Sequence, residues 1–178
     1  MPKSSAKVQK KLSKKKGNIS SLHENSRDAQ KLRRAGARGE KLARVAAARA
    51  KGNQPHMQRV AFFQGAAKAA TGPIELEKIH SLIQTYLSRH DEELAELKGQ
   101  RRPGRPSSTR EDLLKQSMAT EDREYNSGFW IPDMQDEGSL TILQGWNGEW
   151  TSLNTIKYVR LSRDGTLQTS NFPPKGLS

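Results

Sequence analysis

Positive charge and aromatic side chains occupy different parts of this chain of 178 residues. Residues 1–51 contain 16 lysines and arginines against three acidic residues, a net charge of +13, whereas the rest of the chain is nearly neutral. All ten aromatic residues lie between Phe62 and Phe172. A hydrophobic core needs large apolar side chains, so the sequence predicts one small folded module behind a basic N-terminal arm.

The composition excludes several classes of protein. Hydrophobic residues make up 33% of the chain, which is low for a globular domain and predicts a modest core. There is no cysteine, which excludes disulfides, thiolate metal sites and cysteine nucleophiles and fits a reducing compartment. We find no segment with the form of a membrane span or a signal peptide and expect a soluble protein. Residues 10–16 have the form of a nuclear import signal, KKLSKKK.

The arm divides into two segments of different composition. Residues 1–22 are rich in Lys and Ser with few apolar residues, so we expect a disordered start. Asn25 or Ser26 can cap a helix from about residue 26, and strong helix formers follow as far as residue 51. Residues 52–55, Gly-Asn-Gln-Pro, predict a break, with Pro55 opening a new helix. The arm is therefore assigned to residues 1–51, partly helical and extended.

Residues 54–165 have the patterns of a helical docking module with about three core helices. A short helix from Pro55 ends near Gly72, and residues 73–97 then repeat apolar side chains at helical spacing. A capping-box sequence at Ser108 opens a further helix as far as Gly128. Residues 129–133 and 156–161 predict extended pieces, and residues 166–178 a loose tail. The predicted fold class is mainly α, with a short irregular or β C-terminal part.

No constellation in the sequence indicates catalysis. Glu77 and His80 have the spacing of a di-iron motif, but the second copy that such a site requires is absent. Phosphate-binding loops, nucleophile elbows and zinc-protease motifs are also absent. The acidic clusters at residues 91–93 and 121–122 are interpreted as solvated faces of helices. We therefore expect a protein that is not an enzyme and has no cofactor, metal or small-molecule substrate.

The cations of the arm need an anionic partner, because they repel one another and have few apolar neighbours to bury. Neutralised phosphates release counterions, and arginines also stack on exposed bases, which favours structured RNA. The basic loop at residues 98–107 is either a second phosphate contact or a solvated linker. The candidate RNA-binding residues are Lys10, Lys11, Lys14, Lys15, Lys16, Arg27, Lys31, Arg33, Arg34, Arg38, Lys41, Arg44, Arg49, Lys51, Arg101, Arg102 and Arg105.

Other interpretations of the arm stay open. A solubilising or import tail would have no specific target, although it would not need the Ala-rich helical stretch at residues 35–50. A chromatin-associated protein would use the same arm on DNA, and a protein-interaction adaptor would use it for import alone. A membrane-surface helix is disfavoured because this segment has no aromatic or sustained leucine face.

Four aromatic residues are candidates for partner docking: Phe129, Trp130, Trp146 and Trp150. Exposed aromatic patches are common at protein interfaces, but large aromatic side chains also dominate small cores. For two of the three tryptophans we expect a place in the core.

Several short segments between about residues 20 and 160 match a known pattern in their order and spacing. They include His23-Glu24-Asn25-Ser26-Arg27, Phe62-Phe63-Gln64, Leu82-Ile83-Gln84-Thr85-Tyr86-Leu87-Ser88-Arg89, Lys115-Gln116, Ile131-Pro132-Asp133, and Trp146 with the Ile156-Lys157 region. Together they resemble the translation machinery-associated protein 16 family. Glu24 and Asp28 depart from that pattern, since the family commonly has Pro and a basic residue there.

The resemblance implies a non-catalytic ribosome biogenesis factor on the nuclear precursor of the large ribosomal subunit, the pre-60S particle. It implies ribosomal RNA, ribosomal proteins and other assembly factors as partners, and a location in the nucleolus or nucleoplasm. We expect a monomer within that large particle, without membrane contact. The basic arm comes from the residues, whereas the particle and the compartment come from the resemblance.

Overall fold

The structure, a computed structural model, describes residues 5–17, 22–102 and 104–174. The chain forms two compact units, Met1–Gln54 and Pro55–Ser178. The prediction of a mainly α fold with a small β part at the C-terminal end is confirmed. The α-helices are α1 Ser5–Lys16, α2 Arg27–Ala69, α3 Leu76–Leu87, α4 Asp91–Gln100, α5 Thr109–Ser127 and α6 Glu137–Gln144. The strands are β1 Phe129–Pro132, β2 Tyr158–Leu161 and β3 Leu167–Ser170.

The first unit contains a small apolar contact between α1 and α2. Val8 and Leu12 are four residues apart, which puts both on one face of α1, and they pack with Leu32 and Ala35 of α2. The expected disorder of the arm's start is therefore wrong for α1, because its apolar residues find partners some 25 residues away. Residues 1–4 and 18–21, which the same expectation covered, lie outside the described residues.

Helix α2 continues through the predicted break at residues 52–55, and Pro55 lies inside it. A proline in a helix interior removes one backbone hydrogen bond and costs about 3 kcal/mol. The turns that follow carry the fully buried Val60, Phe63 and Ala67. The free energy gained by burying these side chains offsets the cost of the proline. Local sequence rules alone do not include this gain, because it depends on tertiary packing.

The second unit has one apolar core, to which helices and sheet both contribute. Phe63 of α2, Ile83 of α3 and Tyr125 of α5 meet the buried residues of β1 and β2 there. The sheet is antiparallel in the order β1-β2-β3, and Ile131 pairs with Val159. The predicted extended pieces at residues 129–133 and 156–161 correspond to β1 and β2.

The predicted long helix from residue 73 to 97 is two helices, α3 and α4, separated by a 3-10 turn at Ser88–His90. Arg89 caps the end of α3 by donating to the Tyr86 carbonyl at 2.7 Å. It also makes two 2.7 Å hydrogen bonds with Glu121 of α5. A contact with a residue 32 positions away thus decides where α3 ends.

Helix α5 begins and ends as the sequence predicts. The Ser108 hydroxyl accepts a hydrogen bond from the Glu111 backbone N–H at 3.1 Å, which is the capping interaction expected there. At the other end Gly128 has φ 133°, a conformation open to glycine, and leads directly into β1.

The loose tail predicted for residues 166–178 is wrong as far as residue 174. Strand β3 pairs with β2, and Phe172 lies 4.7 Å from Trp150 and 5.7 Å from Tyr158 between ring centroids. Residues 175–178 lie outside the described residues. Helix α6, which the sequence analysis missed, has a local signal in Asp136, whose carboxylate accepts from the Ser139 N–H at 2.8 Å.

Candidate nucleic-acid interface

Six candidate cations of α2 form one row along the helix, here called the cationic stripe. Successive members are separated by four, three, four, three and eight residues, and this spacing keeps them on one face over about 33 Å. All six residues are exposed. The stripe consists of Arg27, Lys31, Arg34, Arg38, Lys41 and Arg49.

The other three candidate cations of α2, Arg33, Arg44 and Lys51, form a second row roughly 120° around the helix from the stripe. They are exposed as well. Arg33 is engaged within the protein, since it donates to the Glu24 carbonyl and lies 4.0 Å from the Glu24 carboxylate. The second row therefore offers two free cations, Arg44 and Lys51, against six in the stripe.

A cleft of about 580 Å³ lies between α1 and the first turns of α2. Four stripe residues, Arg27, Lys31, Arg34 and Arg38, line it together with Gln30, and no carboxylate is among the lining residues. Val8 and Ala35, both buried, complete the lining. The cleft is therefore a strongly positive depression with an apolar floor.

Helix α1 adds exposed lysines to the same unit. Lys10, Lys11, Lys14 and Lys15 are exposed, whereas the side chain of Lys16 lies outside the described residues. Apart from Arg33, no candidate cation between residues 10 and 51 whose side chain is described forms an ion pair with another described residue. Ion pairing within the described part of the arm thus relieves little of their mutual repulsion.

Many cations of the second unit, unlike those of the arm, form ion pairs within the protein. Seven of its described lysine and arginine side chains lie within 4.0 Å of a carboxylate. The most buried pair joins Arg59 and Glu124 through two hydrogen bonds of 2.8 Å, and the Arg59 guanidinium lies 4.0 Å from the Phe129 ring centre. Burial by itself would lower the pKa of Arg59, but the hydrogen-bonded Glu124 carboxylate raises it. These cations are therefore engaged within the unit itself.

Several acidic residues have a structural role that the sequence does not predict. Glu121, interpreted as part of a solvated face, is buried and paired with Arg89, while the neighbouring Asp122 is exposed. Glu111 and Glu124 are also buried. The available signal was helical spacing, because Glu111 and Glu121 fall on the same face of the helix as the apolar Leu114 and Tyr125. Glu124 lies farther around the helix and gave no such signal.

The loop between α4 and α5 contains both paired and unpaired arginines. Arg101 lies 3.5 Å from Glu111, whose other partner, Lys115, is at 2.6 Å. The Lys115 hydrogen bond, reinforced by the charge of Arg101, lowers the pKa of Glu111. Arg102 and Arg105 are exposed and have no ion-pair partner among the described residues. A phosphate contact of this loop therefore stays a prediction for Arg102 and Arg105, while Arg101 has a structural partner.

The predicted docking role of the aromatic residues is wrong for three of the four. Phe129 and Trp130 are 0% exposed and Trp146 is 9% exposed. Trp130 stacks on Tyr158 with ring centres 4.3 Å apart, and the Trp146 Nε1–H donates to the Glu149 carbonyl. Trp150 is half-buried. The expectation that two of the three tryptophans belong to the core is confirmed by Trp130 and Trp146. For Phe129 and Trp130 the burial depends on strand pairing, which brings residues 129–132 against residues 158–161.

The described residues contain neither a metal-binding cluster nor a membrane-spanning helix. His80 Nδ1 lies 2.7 Å from the Tyr125 hydroxyl, so this histidine has a structural partner. No three His, Asp or Glu residues among those described are grouped so that they could hold a metal ion. No helix in the described part of the chain is long and apolar enough to cross a membrane.

Comparison with known proteins identifies a family whose model covers most of the chain. The family model described as translation machinery-associated protein 16 matches residues 18–163, which contain the whole cationic stripe. A protein of that name from Saccharomyces cerevisiae is 36% identical over 167 residues, covering 92% of this chain and 93% of the relative. One from Danio rerio is 29% identical over 152 residues, covering 82% and 77%. The chain therefore belongs to the translation machinery-associated protein 16 family.

Proposed function

We propose that this protein is a non-catalytic ribosome biogenesis factor that binds ribosomal RNA through its cationic arm. The observation that carries the proposal is the contrast between the two units. The second unit pairs seven cations with its own carboxylates, whereas the described arm leaves all but one of its candidate cations unpaired. Exposed cations held in a row are suited to a polyanion whose charges are also regularly spaced.

Counterion release supplies the driving force. Each phosphate that the arm neutralises frees condensed cations from the nucleic acid, so affinity rises steeply as the salt concentration falls. Six stripe contacts to a duplex correspond to a slope of log K against log salt of about −5. Such binding has little sequence preference by itself, so the site on the particle is chosen by contacts of the second unit with ribosomal proteins and other assembly factors.

The family supports the identity of the polyanion. Its relatives are named for association with the translation machinery, in which RNA is the main polyanion. The nuclear large-subunit precursor is the particle that the sequence resemblance implies, and the lysine-rich residues 10–16 provide an import signal for the nucleolus or nucleoplasm.

Affinity purification of the tagged full-length chain from nuclear extract tests the proposal. We expect large-subunit precursor RNA and ribosomal proteins in the purified fraction, and their loss after RNase treatment. An association that survives RNase and is lost with DNase would show a chromatin protein instead.

A charge variant tests the arm itself. The six stripe cations are replaced by Gln, which keeps helix propensity, and a heterologous import signal is added to both variant and wild type. We expect the variant to lose cosedimentation with pre-ribosomes. Undiminished cosedimentation would contradict RNA binding by the arm and support an adaptor with an import tail.

A further inference from the structure

We infer that the cleft between α1 and α2 binds the phosphate backbone of double-stranded RNA, with the stripe continuing the contact along the duplex. The inference rests on the proposed function for its choice of RNA over other polyanions. What it adds is the site, the strandedness of the ligand and the mode of contact, which is to the backbone and not to stacked bases.

The lining of the cleft suits phosphates. Arg27, Lys31, Arg34 and Arg38 bring four positive charges to one depression, and no acidic residue of the lining offsets them. Arginine presents a fork of donors that matches two phosphate oxygens, and lysine adds a point charge. These four residues occupy three turns of one helix, about 16 Å, so the protein holds them in a fixed row.

The unit lacks the Phe, Tyr and Trp side chains on which proteins commonly stack single-stranded nucleic acid. Sequence-tolerant single-strand binding uses aromatic side chains, each of which contributes about 1–3 kcal/mol per stacked base. The chain has no aromatic residue before Phe62. The large hydrophobic side chains exposed on α2 are Leu42 and Val45, which are aliphatic. His23 and the arginines can stack on a base, but most of the unit's contacts to nucleic acid are therefore expected at the backbone.

A duplex fits a rigid row of cations better than a single strand does. Its phosphates are already ordered, whereas a flexible strand loses conformational entropy when it is straightened along α2. Counterion release acts in the same direction. The slope is about 0.9 per phosphate for B-form DNA, a value we apply to the RNA duplex as well, and about 0.7 for a single strand. If both bind equally at 1 M salt, six contacts make the duplex bind about tenfold more tightly at 0.1 M.

The cleft also contains a group suited to ribose. Gln30 carries the one neutral hydrogen-bonding side chain of the lining. Its Nε2 donates to the Asn25 carbonyl at 3.4 Å, which leaves the amide oxygen to accept from a hydroxyl. The 2′-hydroxyl distinguishes RNA from DNA and is displayed with the phosphates along the shallow minor groove of an RNA duplex.

Fluorescence anisotropy with the full-length protein tests the inference on three probes: a 20-base-pair RNA duplex, one unpaired 20-nucleotide RNA and a DNA duplex of the same sequence. We expect the RNA duplex to bind about tenfold more tightly than the single strand at 0.1 M salt, with little effect of changing its sequence. Single-stranded RNA binding as tightly as the duplex would overturn the inference and leave the proposed function standing. Equal binding of the DNA duplex would overturn the assignment to RNA.

A pair of matched double variants locates the site. Arg34→Gln with Arg38→Gln removes two charges from the cleft, and Arg44→Gln with Lys51→Gln removes two from the second row of the same helix. We expect the first pair to reduce the salt slope by about 2 and the second to leave it nearly unchanged. Equal effects would refute the cleft as the site. Absence of RNA binding by the wild type would refute the proposed function itself.

Discussion

Breaking the buried ion pair between Arg59 and Glu124 is predicted to destabilise the second unit strongly. Both side chains are buried, at 7% and 5% exposure, and two 2.8 Å hydrogen bonds join them. Removing one partner leaves the other as an uncompensated buried charge, which costs about 3–5 kcal/mol. That is a large part of the 5–15 kcal/mol by which a typical domain is stable.

The two single variants should differ in a defined order. Glu124 also accepts the Trp130 backbone N–H at 3.1 Å, so Glu124→Met leaves this donor buried and unpaired as well as the guanidinium of Arg59. After Arg59→Met, Glu124 keeps that hydrogen bond, and the Trp130 carbonyl loses only a 3.3 Å contact with the guanidinium, a smaller loss than an unpaired buried N–H. We therefore expect Glu124→Met to be the more costly change. The double variant should recover at least about 2 kcal/mol of the summed losses, because methionines of similar length then pack without charge.

Urea unfolding measures these free energies of unfolding. Tryptophan fluorescence reports on the second unit, because all three tryptophans lie in it. The control is Asp122→Met, which breaks the pair between Asp122 and Arg163. That pair has the same 2.8 Å contact but exposures of 57% and 54%. We expect the control to cost less than about 1 kcal/mol. A Glu124→Met loss no larger than the control's, or strictly additive single losses, would refute the reasoning.

Two further predictions concern pH and backbone strain. Burial, with a contribution from the charge of Arg59, lowers the pKa of His56 in the folded protein. As the pH drops from about 7 toward 5, His56 is therefore protonated in the unfolded chain before it is protonated in the folded one, and the free energy of unfolding falls. In His56→Phe the free energy of unfolding should depend less on pH over that window. An unchanged dependence on pH would exclude His56 as its source. Gly128→Ala should cost about 1–3 kcal/mol, since φ is 133° and a Cβ would lie 3.2 Å from the Arg160 Cβ. The control Gly65→Ala, in an open position of α2, should stabilise by about 0.5–1 kcal/mol, and equal losses at both glycines in thermal unfolding would contradict the strain argument.

Predictions that rest on short-range physics are the ones the structure confirms. The Ser108 cap, helix α5 and strand β1 depend on residues within a few positions of each other, and the sequence displays those residues directly. The core face of α3 also follows from local spacing, since Ile79 and Ile83 are buried as their period predicts.

Predictions failed where a partner distant in sequence decides the outcome. Helix α1 is ordered against Leu32 and Ala35, and the core that follows Pro55 carries α2 through the expected break. β3 has few apolar residues and is held by its pairing with β2. Local composition indicates none of these contacts.

For the candidate site, the sequence by itself determined the segregation of charge: a +13 segment without aromatic residues needs an anionic partner, whatever its fold. The tertiary structure decided which cations are free for that partner. Arg59 and Arg89 are neutralised by carboxylates 65 and 32 residues away, whereas the arm has too few acidic residues for its cations to be neutralised in the same way. The structure also places six of the arm's cations on one face of a single helix and four of them around one cleft. The physical reason is that composition sets the total charge, while burial and pairing of each charge depend on long-range packing.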